Sequence, residues 1–139
     1  MARGQSVRQV DKPANTVWQV LADHRGIAQW GPGLSVDMER DGSPTAAGVG
    51  AIRVISAPAV RIREEITVFE PGLLLGYRAL SGIPLPGWMG EVALVELDGR
   101  TTIRWSLSVR TALPGVGLFL DLAARIMLSA LVKAVDRAC

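Results

Sequence analysis

The sequence predicts an α+β fold, with one curved antiparallel sheet of about six to seven strands wrapped around a long C-terminal helix. Two short helices are expected after the first strand. Three observations carry this reading. Apolar residues recur at helical spacing around Val17 and again from Pro114 to Cys139. Between Leu34 and Thr111 the period falls to two. The links inside that stretch are short and rich in Gly, Pro and Asp, which is hairpin chemistry and leaves no room for crossover helices.

Each element follows in order. Ser6 to Val10 alternates as a first strand. Pro13 suits the first turn of a helix. Val17, Val20 and Leu21 then share a face, with Trp18 beside them. This helix should end near Asp23 and His24. Arg25 to Trp30 reads as a second short helix or turn, stopped by Gly31-Pro32-Gly33. Strands are expected over Leu34–Arg40, Val49–Ser56, Arg61–Phe69, Leu73–Leu80, Trp88–Leu97 and Thr101–Thr111. Asp41-Gly42-Ser43-Pro44, Ala57-Pro58-Ala59-Val60, Glu70-Pro71-Gly72 and Asp98-Gly99 supply the turns. In the last helix Asp121, Arg125, Ser129 and Lys133 form a narrow polar stripe at four-residue spacing. The remaining face, from Leu118 to Val135, is wider than a surface helix needs.

Composition narrows the functions. With 139 residues the chain is the size of one domain, taken as residues 1–139. Apolar residues make up 49% and charged residues 20%, which excludes a disordered chain. Lys and Arg total 15 against 13 Asp and Glu, with no basic block, so nucleic acid is not an expected partner. Met1 to Lys12 lacks the apolar core of a signal peptide, and no apolar run is long enough to span a membrane. A cytoplasmic location is expected. Cys139 is the sole cysteine and His24 the sole histidine. An internal disulfide is impossible and a zinc site is not expected, nor is any cofactor. The mean hydropathy of +0.28 points to a cavity or an interface.

The ordered short motifs resemble a known family. Val17-Trp18 with Leu21, Asp23 and Trp30 is similar to the opening of START-like, helix-grip proteins. Gly50-x-x-Arg53, Glu64-x-Ile66, Glu70-Pro71, Leu75-x-Tyr77, Leu85-Pro86 and Asp98-Gly99-Arg100-Thr101 with Trp105 continue the likeness along nearly the whole chain. It resembles most the bacterial branch described as polyketide cyclase/dehydrase and lipid transport. The resemblance implies an elongated apolar cavity between sheet and long helix. It also implies a mobile loop at the mouth, with Ser81 to Pro86 similar to the gate loop of plant hormone-receptor relatives. An ordinary Gly/Pro hairpin loop is the alternative.

Turn chemistry sets the register. With Asp98-Gly99 as a two-residue turn, Leu94 opposes Ile103, Val92 opposes Trp105 and Gly90 opposes Leu107. The turn at Ala57–Val60 sets Ser56 against Arg61, Ile55 against Ile62, Arg53 against Glu64 and Ala51 against Ile66. With Glu70 opposite Leu73, Val68 faces Leu75, Ile66 faces Tyr77 and Glu64 faces Ala79. Arg53, Glu64 and Tyr77 then cluster on an otherwise apolar face. If that face is concave, an ion pair and a phenol sit inside the cavity.

The candidate ligand-binding residues are Trp30, Arg53, Glu64, Tyr77, Leu85, Trp88, Trp105, Met127 and Leu131. His24 reads as structural, because a histidine at a helix end is more often so. The favoured function is binding of a small hydrophobic ligand such as a lipid, polyketide or isoprenoid. The first alternative is a polyketide cyclase or dehydratase in which Glu64 or Tyr77 moves a proton and Arg53 polarises a carbonyl. The second is an interaction protein, a homodimer included, using the apolar C-terminal helix.

Overall fold

Alternation with period two builds the sheet, and its polar and apolar faces fix which side receives the helix. The structure is a computed structural model that describes residues 1–31 and 33–138. Pro32 of the Gly-Pro-Gly stop and Cys139 lie outside the described residues. Seven strands form one antiparallel sheet: β1 (Ala2–Val10), β2 (Ser35–Arg40), β3 (Ile52–Ala57), β4 (Val60–Glu70), β5 (Leu74–Ser81), β6 (Met89–Leu97) and β7 (Arg100–Val109). Their spatial order is β1-β7-β6-β5-β4-β3-β2. Chain neighbours pair throughout, except that β1 closes onto β7. The helices are α1 (Ala14–Leu21), α2 (Ile27–Trp30) and α3 (Val116–Arg137), with a 3-10 turn at His24–Gly26 before α2. Among the described residues no helix is long and apolar enough to cross a membrane.

Two of the three predicted registers hold. Leu97 pairs with Arg100, Val92 with Trp105 and Gly90 with Leu107. Arg53 pairs with Glu64 and Ile55 with Ile62, and the turn tightens because Ala57 also pairs with Val60. The third register differs near its turn. Glu70 pairs with Leu74, not Leu73, and Val68 pairs with Gly76, not Leu75. Thr67 is extruded as a β-bulge, and below it Ile66 opposes Tyr77 as predicted. The bulge reverses facing for the rest of β4. Phe69 therefore meets Trp18 of α1 edge-on, at 5.1 Å between ring centroids.

The first strand starts four residues earlier than its apolar pattern suggested, because Gly4 hides the alternation. A Cβ at Gly4 would overlap the backbone of Leu120 and Asp121, so glycine lets α3 lie directly on β1. Leu120, Ala124, Leu128, Leu131, Val132 and Val135 form the buried stripe of α3. They meet Val92, Leu94, Ile103, Trp105 and Leu107 in one core. Leu118, Phe119, Leu122 and Ile126 remain exposed. The wide apolar face of the sequence therefore divides between core and surface.

Candidate functional site

The inward faces of β3, β4, β5 and β7 bring Arg53, Glu64, Tyr77 and Trp105 together. Arg53 and Glu64 are 4% and 6% exposed, so the pair lies inside the protein. Arg53 donates from Nε to Glu64 Oε1 at 2.9 Å, and its Nη2 lies 2.9 Å from the same oxygen as an ion pair. Its guanidinium carbon lies 4.9 Å from the centre of the Tyr77 ring, a cation–π contact. Trp105 Nε1–H donates to the Tyr77 hydroxyl at 3.1 Å. Burial, then the nearby Glu64 carboxylate, push the Tyr77 hydroxyl's pKa up. The phenol therefore keeps its proton. Gly90 makes room for it, since a Cβ there would overlap the Tyr77 ring and oxygen.

His24, read from the sequence as structural and partly exposed at a helix end, is instead buried and joins the cluster. The 3-10 turn that carries it is held by Asp23, whose side chain accepts from Gly26 N–H at 3.2 Å. The ring is 4% exposed. Nε2 lies 2.8 Å from the Ala47 carbonyl oxygen, and Nδ1 lies 3.2 Å from Arg53 Nη1. A carbonyl only accepts and a guanidinium only donates, so His24 must be neutral with its proton on Nε2. Burial first, and Arg53 second, lower its pKa to about 4. The chain Ala47–His24–Arg53–Glu64 thus runs from the β2–β3 connection into the core.

Arg53, Glu64, Tyr77 and Trp105, but not His24, wall an interior cavity of about 40 Å³. That is room for about three water molecules. Leu21, Ile27 and Trp30 close it from the helical segment, Ile55, Leu75 and Val92 from the sheet, and Met127 from α3. Trp30 Nε1 is buried without a hydrogen-bond partner among the described residues. A larger surface groove of about 620 Å³ is lined by Arg3, Gln5, Glu91, Ser106 and Ser108 among others. None of these five side chains is buried.

Of the sequence-derived candidates, Trp30, Arg53, Glu64, Tyr77, Trp105 and Met127 line this cavity. Leu131 is fully buried in the core and does not reach it. Leu85 and Trp88 pack against the core from the β5–β6 loop, also away from the cavity. That loop is tied down where Arg110 N–H donates to the Pro86 carbonyl at 2.7 Å. The sequence reading missed Leu21, Ile27, Ile55, Leu75 and Val92. Leu75 and Val92 were legible in principle, since they share faces with Tyr77 and Trp105.

A curved antiparallel sheet gripping a C-terminal helix, with small helices after the first strand, is the START-like helix-grip fold. The chain belongs to the family described as polyketide cyclase / dehydrase and lipid transport, whose model matches residues 1–138. Among solved structures, a START superfamily protein from Mycobacterium smegmatis superposes with a TM-score of 0.83 at 13% identity, covering 99% of each chain. The Zhui aromatase/cyclase from Streptomyces sp. R1128 gives 0.76 at 20% identity, over 97% of this chain and 93% of that one. The Aha1 dimer from Colwellia psychrerythraea gives 0.76 at 15% identity, over 99% and 98%. Identities this low speak for the fold alone. No curated protein matches the chain.

Proposed function

We propose that the chain acts as one ligand-binding domain that holds a small hydrophobic molecule between its sheet and α3. One observation carries the reading: a charged and phenolic cluster faces an interior cavity whose other walls are apolar. A buried ion pair adds little net stability over apolar residues of the same volume. Stability therefore does not account for Arg53 and Glu64, whereas orienting a ligand does. The enclosed volume is small, so a ligand enters as the lining moves. Met127 is the most adaptable of the lining side chains, and Trp30 sits on a helix of only four residues. Opening before binding lowers apparent affinity by the fraction of open protein.

The test is native mass spectrometry of the purified protein, followed by denaturing extraction. A retained apolar molecule is expected. An empty extract together with no binding in a screen of hydrophobic ligands would sink the idea.

A catalytic reading is favoured by one specific feature, a Tyr77 hydroxyl that keeps its proton beside the Glu64 carboxylate. Tyr77 would donate a hydrogen bond to a substrate carbonyl while Glu64 accepts a proton. Arg53 is committed to Glu64 and His24, so the phenol is the better placed to polarise the carbonyl. Unchanged turnover of a β-ketone substrate in Glu64→Gln would exclude this role.

A further inference from the structure

We infer that the cavity selects an uncharged ligand bearing a hydroxyl, held by Trp30 Nε1–H, the Tyr77 O–H and Glu64 Oε2. The inference rests on the ligand-binding reading above and adds the chemistry of the ligand's polar end.

Three hydrogen-bonding capacities are left over at the cavity wall. Trp30 Nε1–H is buried and finds no acceptor among the described residues. The Tyr77 oxygen accepts from Trp105, but its own proton finds no acceptor among the described residues. Both Arg53 contacts land on Glu64 Oε1, and Oε2 receives no hydrogen bond among the described residues. The remainder is thus two donors and one acceptor. A hydroxyl is the simplest neutral group that donates and accepts at one atom. Its proton goes to Glu64 Oε2, and its oxygen accepts from Trp30 or Tyr77. It also reproduces hydrogen bonds that water would make there, which an apolar group does not.

Charge argues against the alternatives. The Arg53 cation is matched by Glu64, and a third contact goes to His24. The wall therefore has no spare positive charge for a carboxylate, which would meet the free oxygen of Glu64. An ammonium would lose its hydration among Ile55, Leu75 and Val92, with Arg53 already beside Glu64, the one carboxylate among the described lining residues.

The experiment is a ¹H–¹⁵N NMR titration with three single-ring probes: phenol, toluene and benzoate. Phenol is expected to bind roughly tenfold more tightly than toluene and to shift the Trp30 indole N–H signal. Benzoate is expected to bind more weakly than toluene. Trp30→Phe removes the N–H together with part of the indole, so its effect is read as the ratio of phenol to toluene affinity, in which the lost bulk largely cancels. In that variant the ratio should fall about fivefold. Toluene binding as tightly as phenol would overturn the hydroxyl inference and leave an apolar cavity standing. Tightest binding by benzoate would overturn it in favour of an anion site. A preference for phenol unchanged in both Trp30→Phe and Tyr77→Phe would overturn the assignment of the donors. Failure of all three probes to bind would remove the ligand-binding reading as well.

Discussion

Arg53 reaches one oxygen of Glu64 with two nitrogens, at 2.9 Å each, from directly opposite positions on β3 and β4. Both side chains are almost wholly buried. Removing one partner strands the other charge in the core, which costs about 3–5 kcal/mol. Glu64→Ala should therefore lower the unfolding free energy by that amount in urea titrations. The double variant Arg53→Met with Glu64→Leu should recover most of it. A Glu64→Ala protein as stable as the parent would mean that the pair is solvated.

Acid should weaken the fold through His24. Its pKa is about 4 in the folded protein against 6.5 for the free side chain, because burial and Arg53 oppose its charge. The unfolded chain therefore takes up a proton before the folded one does. The stability tied to neutral His24 is complete above pH 6.5 and is lost as pH falls from 6.5 towards about 4. The loss amounts to at most about 3 kcal/mol. His24→Gln should flatten the stability–pH curve in this window, measured by chemical denaturation at a series of pH values. An equally steep curve in the variant would assign the effect to other groups.

Gly90→Ala should be costly although the backbone there is ordinary strand. The added methyl group would overlap the Tyr77 ring and hydroxyl. Relieving it means moving Tyr77 away from Trp105, at about 1–3 kcal/mol. The melting temperature should fall and tryptophan emission should change together. A tolerated Gly90→Ala would show that Tyr77 has a second position available.

Tyr77→Phe removes the acceptor of Trp105 Nε1–H, which lies in the core. A buried donor left without a partner costs about 1–3 kcal/mol. Guanidinium unfolding should register that loss, with Arg53 still able to stack on the phenyl ring. No change in midpoint would mean that water takes the place of the hydroxyl.

How far the site could be read in advance depended on whether the turn and the strands beside it were regular. Arg53 opposite Glu64 followed from a turn only a few residues away, because a tight turn and strict alternation leave one register. Ile66 opposite Tyr77 came out as predicted although the nearer pairs Val68–Leu75 and Glu70–Leu73 did not. The turn at Pro71 is one residue longer than expected, and the Thr67 bulge absorbs the offset. No residue type announces such a bulge, which turns Phe69 towards Trp18 on a separate element.

Sequence alone decides the order of strands and helices, two of the three hairpin registers set by short turns, and that Arg53, Glu64 and Tyr77 share one face; only the structure turns that face inward. These depend on backbone preferences and a period of two, which act over a few residues. Tertiary structure alone decides that His24 joins Arg53 across 29 residues, that Gly90 accommodates the Tyr77 ring, and that the enclosed volume is only about 40 Å³. Those features are sums of side-chain volumes contributed by elements far apart in the chain. A change of one methyl group at any contributor alters them while leaving the local pattern untouched.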